Sequence, residues 1–207
     1  MKIKLGFCSN AKAGQTSIRY FFKINKYKLV KIERNKINDD IISFGVIRNP
    51  YSRCISAWKY CNTTRKRTLL DCLKTPPAPP PYHLPYPEHE KIDIEKTVYK
   101  ENDWGCSPNC YKDCYIKEHD FLHFTLSQSY RLYHPITNKR VDHLLKFENL
   151  EEEIYDLCNQ YGIKVYKKFP KINVGNYDHS IQLTSEEKEA IYNFYKVDFD
   201  TFGFKKE

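Results

Sequence analysis

A chain of 207 residues and 24.7 kDa has room for one domain, with space for an insertion but not for a second full domain. Its 41% apolar and 15% aromatic residues can bury a core, which excludes a fully disordered chain. The net charge of +8 is interspersed along the sequence and favours an anionic partner: a nucleotide, a sulfated or phosphorylated ligand, nucleic acid or an acidic glycan.

Residues 3–8 read as a short strand. The loop Ser9–Gly14 follows, and from Gln15 to about Lys26 the spacing of Ile18, Phe21 and Phe22 predicts a helix. Tyr27–Ile32 is a second strand. The apolar run 41–47 suits a strand buried on both faces. Pro50 then opens a helix through Ile55, Ala57 and Trp58 as a first-turn proline. Strand, helix, strand, strand, helix in so short a span points to an α/β fold. Seven of the 11 prolines lie between Thr75 and Glu88, which predicts an extended loop, either a surface connector or a wall of a binding site. Asp142–Phe147 is a strand, and Asn149 caps a helix that runs to about Tyr161 and stops at Gly162. Thr184 and Glu187 form a capping box for a last helix bearing Ile191, Phe194 and Tyr195.

No run of about 18 apolar residues occurs, so no membrane-spanning helix is expected. The apolar start of the chain is too short for a secretory signal. Of the eight cysteines, Cys106, Cys110 and Cys114 recur every four residues. That spacing departs from zinc knuckles, so disulfides or buried thiols are expected and no metal site is assigned.

Two segments carry chemistry. Lys12-Ala13-Gly14-Gln15-Thr16-Ser17 lies between a strand and a helix. There, free backbone N–H groups, a glycine, two hydroxyls and an ammonium would form an anion site suited to phosphate. The plain alternative is an ordinary helix start. A Walker A loop is excluded, because Lys12 precedes the glycine instead of following it. In the second segment, Arg48-Asn49-Pro50-Tyr51-Ser52-Arg53-Cys54-Ile55-Ser56, Arg48 ends the buried strand at the edge where α/β sheets bind ligands. Its guanidinium fork matches phosphate oxygens, and Ser56 lies two helical turns on. Arg48 and Arg53 near a helix start oppose the helix dipole, which favours an anionic ligand beside them.

These segments resemble the sulfotransferase superfamily, in its carbohydrate branch. Lys12, Gly14, Thr16 and Ser17 match the loop that grips the 5′-phosphosulfate of 3′-phosphoadenosine 5′-phosphosulfate (PAPS). Arg48, Pro50, Arg53 and Ser56 match the segment that grips its 3′-phosphate. His123 with Gln128 is similar to a His-x-x-x-Gln segment, one residue longer. Leu145–Leu150 is similar to a Lys-(Phe/Tyr)-Glu-x-Leu stretch, and Asp198–Phe204 to an Asp-Phe-x-x-Phe-Gly-Tyr ending. Gln15 departs from the family pattern, and no histidine lies between the two phosphate segments.

The resemblance implies a P-loop-like parallel sheet flanked by helices, forming one domain over 1–207 with an insertion at 75–125 on the acceptor side. It implies PAPS as donor, adenosine 3′,5′-bisphosphate as product, and a hydroxyl acceptor, most naturally a glycan. Lys12, Ala13, Gly14, Gln15, Thr16, Ser17, Arg48, Arg53 and Ser56 would bind the donor. Lys12 would act in catalysis with a base, His123 or Glu33, with His119 as a third choice. The alternatives are a P-loop kinase or a basic nucleic-acid-binding module, although no nucleic-acid signature is seen. With the first strand starting at the initiator Met, a free-standing soluble enzyme is expected, cytoplasmic if the chain is whole and Golgi-lumenal if an anchor has been removed.

Overall fold

The computed structural model describes residues 4–77, 120–172 and 181–207. Most of the proline-rich stretch and of the expected insertion, with Cys106, Cys110, Cys114 and His119, lies outside the described residues.

Four strands, β1 (Leu5–Cys8), β2 (Val30–Ile32), β3 (Ile42–Ile47) and β4 (His143–Lys146), form a parallel sheet in the order β2-β1-β3-β4. The helices are α1 (Gln15–Ile24), α2 (Pro50–Tyr60), α3 (Leu69–Lys74), α4 (Gln128–Leu132), α5 (Leu150–Gln160), α6 (Ser185–Phe194) and α7 (Lys196–Phe202), with one π-helical turn at Phe121–Thr125. This is the α/β fold expected from the alternating pattern. Parallel pairing brings the C-terminal ends of all four strands to one edge, and the loops that follow them share that edge.

Apolar packing occurs in three clusters. On one side of the sheet, Phe7 and Phe44 stack at 5.0 Å and pack with Ile18, Phe21 and Phe22 of α1 and Ile154 and Leu157 of α5. On the other, Cys8, Ile32 and Ile47 meet Leu132 of α4. A purely helical cluster joins Tyr51, Cys54 and Ala57 of α2 to Ile191, Tyr195 and Phe199. β3 is buried along nearly its whole length, as its unbroken apolar run requires. Cys8, Cys54, Cys61, Cys72 and Cys158 are buried free thiols, and burial pushes Cys54 up to about 12.

Three expectations shift. β2 starts at Val30 because the chain is still turning before it: the Tyr27 N–H donates to the Phe22 carbonyl (2.9 Å) and Leu29 N–H to the Tyr27 carbonyl (3.1 Å). Asn149 precedes α5 but makes no side-chain cap. A 3₁₀ turn, Phe147–Asn149, leads into the helix instead, and Glu153 turns back to accept the Lys146 N–H at 2.7 Å. The last helix is two: it breaks at Tyr195, whose buried hydroxyl donates to the Phe124 carbonyl. The Thr184–Glu187 capping box forms in both directions.

α4 is too short to hold itself. It is fixed by Asp198 of α7, fully buried, which accepts the N–H groups of Gln128 and Ser129 at 2.9 Å each. Burial raises the Asp198 pKa, opposed by Arg53 and these two donors. Asp198→Ala strands two buried N–H groups and should lose roughly 3 kcal/mol in urea unfolding. A loss below about 1 kcal/mol would mean that α4 is anchored by packing alone.

Candidate active site

β1 ends at Cys8, and the chain must turn sharply before α1. Lys12 (φ 64°) and Gly14 (φ 74°) both take the left-handed conformation. The site of Gly14 suits glycine: the positive φ strains any other residue, and a Cβ there would come within 2.6 Å of Leu150 Cδ2, which would have to shift. Gly14 is the N-cap of α1 and offers no side chain. The first helical bond runs from Ile18 N–H to the Gly14 carbonyl (3.1 Å), so the N–H groups of Gln15, Thr16 and Ser17 precede it without a capping side chain. The sequence thus leaves the helix start open toward an anion.

Arg48 joins the second segment to this loop. Its Nη1 donates to the Lys12 carbonyl at 3.0 Å and its Nε to Ser52 Oγ at 3.0 Å, and its guanidinium lies 4.3 Å from the Phe147 ring centroid. Asn49 caps α2 by accepting the Tyr51 N–H at 2.9 Å, with Pro50 in the first turn as expected.

The Lys12 ammonium lies 3.6 Å from the centroid of Tyr60, at the end of α2. The same ring packs against His123, centroids 5.3 Å apart. Lys12, Tyr60 and His123 are thereby gathered from three distant stretches of chain. Burial lowers the Lys12 pKa from 10.5 to about 8, helped by Arg48 and Arg53.

The remaining candidates divide. Ala13 is buried in the core. Thr16 is exposed, and Gln15 Oε1 accepts the Ser9 hydroxyl. Ser17 turns its hydroxyl inward to the backbone of Ile172, donating to its carbonyl and accepting its N–H at 3.2 Å each, so it offers an anion its backbone N–H. Arg53 is 1% exposed and lies beneath the loop, donating to the carbonyls of Ala11 (3.3 Å) and Leu126 (2.7 Å). It supports the loop and adds positive field from below. Ser56 is buried two turns into α2. Glu33 is exposed and follows β2; since Ile32 pairs with Cys8, Glu33 leaves the sheet beside Ser9.

Four residues were given no role by the sequence, although Gln128 and Glu148 lie within quoted motifs. Tyr60 bridges Lys12 and His123. Asn10, buried, donates from Nδ2 to the Val46 carbonyl and to Gln128 Oε1, both at 2.9 Å. Gln128, quoted above only within a motif, also accepts the Arg48 N–H (2.8 Å) and donates to the Arg48 carbonyl (2.8 Å). Glu148 accepts the Asn49 N–H at 3.0 Å. Among the described residues no group of three or more His, Cys, Asp and Glu could hold a metal ion.

A sequence model of the sulfotransferase family matches residues 4–205. The chain belongs to the sulfotransferase family. No curated protein gives a significant match to it. Sulfotransferases carry a sulfuryl group to an acceptor hydroxyl. No described helix is long and apolar enough to cross a membrane.

The Lys12 shift has a sign that can be measured. In the free protein the charged form is disfavoured, so folding stability should rise with pH between about 8 and 10.5. A bound anion draws the pKa back up, so affinity for adenosine 3′,5′-bisphosphate should fall as pH rises through about 8. Lys12→Arg should flatten that fall, because a guanidinium stays charged. Wild-type affinity unchanged up to pH 10 would show that the ammonium does not face the nucleotide.

Proposed function

We propose that the protein transfers a sulfuryl group from PAPS to a hydroxyl of a carbohydrate acceptor. The observation that carries this reading is the junction of the two anion-facing segments: the Arg48 guanidinium on the Lys12 carbonyl, at the open start of α1. The residues fit such a donor. Three first-turn N–H groups and Lys12 suit the 5′-phosphosulfate, Gly14 supplies the left-handed turn that opens the helix, and Arg48 with Ser56 suits the 3′-phosphate. Arg53 acts on the donor through the loop it supports.

The donor supplies an activated sulfuryl group: its S–O bond to the 5′-phosphate breaks as an acceptor O–S bond forms, and adenosine 3′,5′-bisphosphate leaves. Lys12 neutralises the charge growing on the leaving phosphate oxygen, and the N–H groups of α1 share that work without reorganising. His123 takes the acceptor proton at its imidazole, a step that typically contributes 10²–10⁴-fold. Its contact with Tyr60, which also meets Lys12, supports this assignment over Glu33, whose charge lies among Cys8, Arg34 and Arg131.

Adenosine 3′,5′-bisphosphate should raise the melting temperature well above adenosine 5′-monophosphate at equal concentration, because tighter binding stabilises in proportion to ln(1 + [L]/Kd). Arg48→Ala should remove most of the difference, at a cost to binding of roughly 2–3 kcal/mol. Equal shifts from both nucleotides would overturn the 3′-phosphate assignment, and an ATP preference would favour a kinase.

The base is tested separately. His123→Ala should lose turnover with nucleotide affinity intact. Near-full activity in His123→Ala, with Glu33→Gln inactive but still binding nucleotide, would transfer the role to Glu33.

A further inference from the structure

α2 and the π-helical turn at Phe121–Thr125 lie far apart in sequence but are tied together on both sides of that turn. Just before it, Asp120 is fully buried and accepts the N–H groups of Asn62 (3.1 Å) and Thr63 (2.6 Å) and the Thr63 hydroxyl (2.6 Å), which follow the end of α2. Just after it, the Leu126 carbonyl accepts from Arg53 of α2 at 2.7 Å. Tyr60 is the last residue of α2 and His123 lies within the turn, so these ties hold the two rings together, their centroids 5.3 Å apart. Tyr60 is 46% exposed and lies outside the three buried clusters, so filling the core does not explain its place.

The Lys12 ammonium lies 3.6 Å from the centroid of the same Tyr60 ring. Much of its surroundings opposes its charge. Burial disfavours the ammonium most, and Arg48 and Arg53 repel it. The Cys61 thiol, next in sequence to Tyr60, is kept protonated by burial and by Asp120, so it supplies no counter-charge. Among the described residues no carboxylate pairs with Lys12. The π face of Tyr60 favours the cation instead. Unlike a carboxylate, it leaves the positive charge uncancelled for an incoming anion.

We propose that Tyr60 is a positioning residue of the transfer site: its ring holds the Lys12 ammonium in place, with the His123 imidazole packed against the same ring. This inference rests on the sulfuryl-transfer reading, in which Lys12 meets the leaving phosphate oxygen and His123 the acceptor oxygen. Those two oxygens flank one sulfur, so the side chains that serve them need a fixed spacing. Lys12 reaches its place on a flexible four-carbon stem, which a rigid ring can arrest. Tyr60 thus acts through Lys12 and His123 and touches no reacting atom itself.

The test follows the Lys12 Cε resonance against pH in the whole chain with isotope-labelled lysine, the signal being assigned by its loss in Lys12→Arg. Tyr60→Leu removes the π face and should lower the Lys12 midpoint by about half to one pH unit. Tyr60→Phe keeps the face and should match the wild type. Calorimetry with adenosine 3′,5′-bisphosphate reads the consequence. The ratio of affinity at about pH 6.5 to that at about pH 8 should be about threefold larger in Tyr60→Leu than in the wild type. A ring that only supported the fold would weaken binding equally at both pH values. If Tyr60→Leu does not fold, Tyr60→Met carries the same expectation. A Lys12 midpoint that does not fall, an unchanged affinity ratio in protein that binds the nucleotide, or an equal fall in Tyr60→Phe overturns the proposal. No nucleotide binding by the wild type, with the Lys12 midpoint still lowered in Tyr60→Leu, would sink the donor-site reading alone.

Discussion

The loops after β1 and β3 hang on one buried side-chain amide. Gln128 accepts from Asn10 and from the Arg48 N–H at one end and donates to the Arg48 carbonyl at the other, while its own backbone N–H is held by Asp198. Each of these groups is buried or half-buried, and such a group left unmatched is costly. The arrangement therefore works as a set. Asn10 fixes the loop after β1, the Arg48 backbone fixes the loop after β3, and Asp198 ties both to the end of the chain. Arg48 can aim its guanidinium at the Lys12 carbonyl only because its backbone is gripped on both sides. A displacement of α4 would be felt at the helix start of α1 through these bonds.

Above that clamp the site concentrates positive charge. Lys12, Arg48 and Arg53 converge at the loop, and burial together with the two guanidiniums lowers Lys12 to about 8. Their hydrogen-bond partners are chiefly carbonyl oxygens and one serine hydroxyl, which orient a guanidinium without cancelling its charge. The aromatic rings serve the same end. Tyr60 under Lys12 and Phe147 beside Arg48 favour the cations by their π faces and exclude water. A field prepared in this way acts on charge that develops during transfer, because little has to reorient.

The sequence was most legible where local rules decide. The apolar run of β3, the first-turn Pro50, the glycine that ends the β1 loop and the Thr184–Glu187 box each depend on neighbours within a few residues, and each formed where expected. The family pattern also drew attention to the two segments that meet at Arg48 and the Lys12 carbonyl. What escaped depended on partners far along the chain. Ser17 looks like a phosphate-binding hydroxyl until Ile172, 155 residues away, takes it. Arg53 looks like a donor-binding guanidinium until the carbonyls of Ala11 and Leu126 take it beneath the loop. Asn149 looks like a cap, but Phe147 is needed against Arg48, and the 3₁₀ turn that places it displaces the capping geometry. Tyr60 carries no local signal at all, since its meaning comes from Lys12 and His123.

The two ends of α1 show how one ten-residue helix, about 15 Å long, can serve two electrostatic tasks. Its positive end is left without a capping side chain, which makes it a poorer helix start in isolation and a better seat for an anion. Its negative end carries Lys23 and leads into Lys26, an arrangement the dipole favours and a neutral helix would not. Arg19 stands between them and touches the loop through Ser9. Positive potential therefore extends along the whole helix, although the dipole alone would reverse sign from end to end. Keeping that sign constant requires side-chain charge where the backbone supplies the wrong one, and the lysines fall at that end.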